Sequence, residues 1–130
     1  MLNSGKYGEF LVMTELLKRD IEAYQAVKIN QEDYDITVVR STSEVIRVQV
    51  KTTELQNGST NNAISNIDKN YDILVIVIVD PSGDRHFVLT KDEVLREKAA
   101  GNQIYISQKT AGTPQIRQNL IQYEGQWSKI

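Results

Sequence analysis

The chain has 130 residues, with 15 lysines and arginines against 17 acids, one histidine and no cysteine. That length suggests one domain over residues 1–130, burying about two-thirds of its unfolded surface. The absence of cysteine excludes disulfides and thiolate zinc sites, and a net charge of −2 speaks against a protein that coats nucleic acid through bulk positive charge. It does not exclude a nuclease, whose clustered acids lower the total. The first residues carry no apolar signal core. The longest apolar run, Ile73 to Val79, is far shorter than the about 20 residues a bilayer requires. A cytoplasmic protein without membrane contact is expected.

A first helix is predicted from about Ser4 to Asp20, capped by Asn3 or Ser4. On a wheel at about 100° per residue, Phe10, Val12, Met13, Leu16 and Leu17 form an apolar arc with Glu9 in its middle. Thr14, Glu15, Lys18 and Arg19 lie opposite, with Leu11 astray among them. An acid facing the core is costly unless it is paired, protonated or bound to a cation. The helix N-terminus favours a carboxylate there, and an ion pair with Lys51 or Arg47 would satisfy it without any metal.

Strands are expected at Ala23–Val27, Tyr34–Val39 and Val45–Lys51, the last two joined by the turn Ser41–Glu44. The loop Asn30–Asp33 precedes the second. Thr52 and Thr53 lead into a loop over Leu55–Asn62, rich in Asn, Ser, Thr and Gly; it is placed either to touch DNA or merely to connect. A short helix is expected over Ala63–Asp68. Ile73–Val79 is apolar throughout, as a strand buried on both faces would be. The turn Asp80–Asp84 returns it to a hairpin partner, His86–Leu89, with His86 read as a solvated hairpin residue rather than a base. Thr90-Lys91-Asp92-Glu93 is a capping box opening a helix to about Ala100, stopped by Gly101. A short edge strand at Ile104–Ile106 and a helix over Pro114–Tyr123 follow, with Trp127 packing the tail. The C-terminal stretch leans basic through Lys98, Lys109, Arg117 and Lys129, as a solvated surface or a phosphate-binding patch would.

The chemistry concentrates on the second and third strands. Side chains alternate along a strand, so Arg47, Gln49 and Lys51 share one face, and Ile46, Val48 and Val50 the other. Asp35 opens the neighbouring strand. As isolated residues, Asp35 would cap a turn, and Gln49 and Lys51 would line a solvated strand face. An acid, a carbonyl-bearing side chain and a lysine on adjacent strands are also the groups of a metal-dependent phosphodiester hydrolase. Asp72, before the apolar strand, could lie near the same place.

This order of elements, with Glu9 in a Gly8-Glu9 pair, Asp35, and Gln49-x-Lys51, resembles the PD-(D/E)xK nuclease superfamily of Holliday-junction resolvases, restriction endonucleases and some homing endonucleases. The resemblance covers roughly Gly5 to Val79 and departs from the usual pattern in two places. Tyr34 stands where proline is usual, and Gln49 where an acid is usual, as in a Gln-x-Lys group of homing endonucleases. It implies an α/β, restriction-endonuclease-like αβββαβ core with a central mixed sheet flanked by helices. It also implies catalytic residues Glu9, Asp35, Gln49 and Lys51, with metal held by Glu9, Asp35, Gln49 and the Val50 carbonyl. The cofactor would be Mg2+, with Mn2+ as a substitute, and the function a magnesium-dependent DNA endonuclease acting on duplex or branched DNA as a homodimer. The rival reading is a non-catalytic nuclease-like module that binds nucleic acid or a partner protein.

Overall fold

The computed structural model describes residues 3–26, 33–55, 62–110 and 112–130. Helix α1 (Ser4–Lys18) is capped by the Asn3 side chain, which accepts the Lys6 N–H. It leads into a five-stranded sheet of β1 (Ala23–Gln25), β2 (Ile36–Ser41), β3 (Glu44–Glu54), β5 (Ile73–Val79) and β6 (Arg85–Thr90). The spatial order is β1-β2-β3-β5-β6. Neighbours are antiparallel except β3 and β5, which run parallel. The fold is therefore α/β with a central mixed sheet, and among the described residues no helix is long and apolar enough to cross a membrane.

The uniform apolarity of β5 reflects its two-sided burial. Val75 and Val77 join Val12 and Leu16 of α1, with Ile36, Val38, Val48 and Val50, in one core. Leu74, Ile76 and Ile78 face a second core with Phe87, Leu89, Val94 of α2 (Lys91–Glu97), Leu120 and Tyr123. Six consecutive residues of β5 are buried, at about 1.5–3 kcal/mol for each side chain removed from water. The capping box holds as expected: Thr90 Oγ1 accepts the Glu93 N–H, and Glu93 Oε1 accepts the Thr90 N–H. Trp127 is buried and stacks obliquely on His86, with ring centroids 5.6 Å apart.

Several expectations are corrected. Residues 63–68 do not form a helix: β4 (Ile64–Ser65) pairs antiparallel with β7 (Gln103–Ile104). Asn62 and Asn66 flank β4 with positive φ of 46° and 55°, a conformation that cannot continue a right-handed helix. The edge strand near 104–106 is this two-residue β7. Helix α2 ends at Glu97, and Ala99 bridges to Gln103 around a turn with Gly101 at φ 82° and Asn102 at φ 53°. Nor is 114–123 one helix. Thr113–Ile116 is strand β9, a hairpin partner of β8 (Ser107–Thr110), and a 3-10 helix occupies Gln118–Tyr123. Gly112, at φ 80°, makes the turn between them. His86 is not solvated: its Nε2 is buried, and burial lowers its pKa. Val27, residues 30–32 of the loop ahead of Asp35 and residues 56–61 of the Asn- and Gly-rich loop lie outside the described residues.

The wheel also misplaces the seated face of α1. Its buried residues are Gly8, Val12 and Leu16, whereas Phe10 and Leu17 are each 57% exposed. The cause is Gly8. A Cβ there would collide with the Thr52 side chain, so the helix presses on β3 through its glycine. A ranking by apolarity does not see that contact.

Candidate functional site

The site forms where two strands part. β2 pairs with β3 as far as Ile36 opposite Val48, while β3 runs on beside β5 to Glu54. Asp35 is the residue before β2, and its carboxylate takes the place of the next rung of the ladder. Asp35 Oδ2 accepts the Val50 N–H at 2.8 Å and Gln49 Nε2 at 3.0 Å. Gln49 Nε2 also reaches the Val50 carbonyl at 3.4 Å. Gln49 and Lys51 point to the face of the second core, and Val50 and Thr52 to the face under α1. The notch between β2 and β3 is thus reached from both sides of the sheet.

Glu9 comes from α1, which sits close over Thr52 because residue 8 has no side chain. Its carboxylate forms an ion pair with Lys6 at 3.6 Å, one turn back on the helix. The ion pairs with Lys51 or Arg47 considered from the sequence do not form; Arg47 instead holds Asp72 through its Nε at 3.2 Å. Asp72 therefore belongs to a structural pair rather than to the notch.

The electrostatics are those of a crowded, partly desolvated set of charges. Burial pushes the Asp35 carboxyl above its usual range, against the pull of the Val50 N–H and of Lys51 and Lys6. Glu9 is raised as well, by burial first and then by the neighbouring Asp35 charge, with Lys6 opposing. Burial lowers the Lys51 ammonium, and Lys69 adds to the effect while Asp35 resists it. Asp35 is thus the hub: bonded to Gln49 and Val50, and within electrostatic reach of Glu9 and Lys51.

Among the described residues no three His, Cys, Asp or Glu side chains converge. A cation here would have to take oxygens from Asp35, Glu9, the Gln49 amide and the Val50 carbonyl. These are hard neutral and anionic donors of the kind magnesium takes while keeping several waters. Gln49 is 6% exposed; its NH2 end faces Asp35 and the Val50 carbonyl, and its Oε1 is buried with no hydrogen-bond partner among the described residues. The donor set fits a magnesium ion.

Three contributors escape a reading by residue type. Gly8 and Thr52 set how near Glu9 comes, and Lys69 adds positive charge beside Lys51. A signal for Lys6 was present, because it stands three residues before Glu9 on the same helix face. Lys69 is remote in sequence and offered none.

Among solved structures, the chain is similar to that of a bacterial homing endonuclease, I-Ssp6803I, with a TM-score of 0.69 over 97% of this chain and 89% of that one, at 14% identity. At that identity the likeness concerns the fold: the chain has the α/β architecture of an endonuclease. No family model matches the sequence, and no curated protein matches it.

Proposed function

We propose that the chain is a magnesium-dependent DNA endonuclease of the PD-(D/E)xK type in its Gln-x-Lys form. The observation that carries this reading is the Asp35 carboxylate held in the notch between β2 and β3, bonded to Gln49 and Val50 and electrostatically coupled to Lys51 and Glu9. The endonuclease-like fold agrees with it. In this reading Asp35 and Glu9 hold the cation, with Gln49 through its amide oxygen and Val50 through its carbonyl. Held there, magnesium, or manganese in its place, would supply Lewis-acid polarisation of the scissile phosphate and make water more acidic. Lys51, beside Asp35, orients the attacking water by hydrogen bonding and offsets negative charge that develops on the phosphate. The substrate is duplex or branched DNA, and cutting both strands with so small a chain calls for a homodimer.

A second reading has its own observation. The Gln49 amide closes onto Asp35, and one carboxylate fewer lines the notch than in the usual pattern. That arrangement also suits a non-catalytic module that binds nucleic acid or a partner protein. A cleavage screen on duplex, single-stranded and branched DNA separates the two. Cutting is expected with magnesium or manganese and is expected to vanish in Asp35→Ala and Lys51→Ala. Undiminished cutting by both variants would overturn the assignment, and no cutting or metal binding by the wild-type chain would favour the module.

A further inference from the structure

Gln49 is placed so that its amide does the work of a cation. A glutamine side chain offers an NH2 donor at one end and a carbonyl acceptor at the other. Both partners within its reach, Asp35 Oδ2 at 3.0 Å and the Val50 carbonyl at 3.4 Å, are acceptors. The NH2 end must therefore face them in the absence of metal, and Oε1 is left in a buried position without a partner among the described residues. A buried carbonyl left unpaired is unfavourable. The acceptors that hold the NH2 group are the same oxygens a cation would need, so amide and cation compete for one place.

We propose that the Gln49 amide turns end for end when a cation arrives, and that this exchange makes metal loading depend on bound DNA. This rests on the nuclease reading above. The charges explain the dependence. Glu9 pairs with Lys6, and Asp35 faces Lys51. Two acids against two lysines leave the local sum near zero, and Lys69 beside Lys51 adds to the positive side. A divalent cation entering such a site meets no net attraction and must also displace the amide. A DNA phosphate supplies the missing negative charge. By linkage, a phosphate that tightens metal binding is itself bound more tightly by the metal-loaded protein. A glutamate at position 49 would remove the dependence, because it cannot donate to Asp35 and adds the charge the site lacks.

The test uses the full chain labelled with 15N, and calcium as the probe cation so that DNA stays intact. The Gln49 side-chain NH2 resonance is identified by its loss in Gln49→Glu. Calcium is titrated alone and then with a mixed-sequence DNA duplex, and calorimetry is run in parallel. The Gln49 resonance is expected to shift on saturation, with a midpoint about tenfold or more lower when duplex is present. Gln49→Glu is expected to bind calcium alone about tenfold or more tightly than wild type, with the duplex effect reduced. Equal midpoints with and without duplex, or a stationary Gln49 resonance while calorimetry registers binding, would overturn the inference and leave the nuclease reading standing. No cation binding in any arm would remove both.

Discussion

Asp35 and Glu93 are both carboxylates tucked against the same sheet, and they are held in opposite ways. Glu93 Oε1 accepts Lys129 Nζ at 2.8 Å and the Thr90 N–H at 2.8 Å. Burial pushes its carboxyl up, but the bonds from Lys129 and Thr90 outweigh this and hold it below the usual range. Glu124 behaves likewise: its two 2.7 Å hydrogen bonds from Arg85 lower its pKa. Asp35 and Glu9 are raised instead. At the C-terminal clamp each acid has its own cation and its own work, tying the tail to β6 and α2. At the notch, acids sit beside one another and beside an amide, and a buried oxygen lacks a partner among the described residues. The clamp is built for the folded state alone. The notch acids lack such dedicated partners, which is what the proposed cation site would require.

The largest test of this contrast is Asp35→Asn. Cleavage is expected to fall by about a thousandfold or more, since the variant removes the hub of the charge array. Stability near neutral pH is expected to rise by about 1 kcal/mol, in line with the usual trade between site function and stability. The sign follows from linkage. A carboxyl with a raised folded-state pKa binds its proton more readily in the folded chain, so its contribution becomes more favourable as pH falls through the raised value and less favourable above it. The gain in Asp35→Asn is therefore expected near neutrality and to fade as pH drops through the raised Asp35 range. Glu93 and Glu124, with lowered values, contribute stability above their unfolded pKa and lose it at still lower pH. Urea unfolding of both chains from neutral to acid pH, beside a plasmid-cleavage assay, reads all of this. A variant less stable than wild type at neutral pH would show that Asp35 is a structural group like Glu93.

Glu93→Ala is the matching test of the clamp. It removes a capping box and leaves Lys129 without its carboxylate, with the Val88 carbonyl at 3.0 Å and the Tyr123 ring centroid at 5.0 Å. A loss of about 2–3 kcal/mol is expected, with metal-dependent cleavage of folded protein unchanged. A fall in cleavage without a fall in stability would place the clamp in the function.

How much of this the sequence disclosed depends on whether the signal was local. The sheet strands, the capping box and the hairpin after β5 were legible because alternation, turn residues and caps act within a few positions. Residues 63–68 and 114–123 were misread as helix because the deciding features were asparagines at positive φ and a glycine turn pairing β8 with β9. Asp35, Gln49 and Lys51 were legible as a group because strand alternation put Gln49 and Lys51 on one face, with Asp35 at the mouth of the next strand. The Lys69 neighbour of Lys51 and the seat of α1 on Thr52 were not, since each depends on how distant parts of the chain pack. The wheel put Glu9 in the middle of the seated face, whereas the stripe that seats the helix is Gly8, Val12 and Leu16, and Glu9 is half-buried beside it and paired with Lys6.

That seat gives the smallest and sharpest test. Gly8→Ala pits two effects against each other. Alanine improves helix propensity by about 1 kcal/mol, while its Cβ would collide with Thr52 Oγ1 and lie 3.0 Å from Thr52 Cβ and 3.2 Å from Cγ2. Overpacking of this kind costs about 1–3 kcal/mol, so a net loss of about 1 kcal/mol is expected. Cleavage is expected to fall further than stability requires, because α1 must lift and carry Glu9 away from Asp35. Adding Thr52→Ala removes the colliding hydroxyl and the methyl but keeps Cβ, so part of both losses is expected to return. Unfolding curves and cleavage rates for the single and double variants decide it. A Gly8→Ala chain that is more stable than wild type and cuts as well would mean that propensity outweighs contact, and that the close approach of α1 to β3 does not position Glu9.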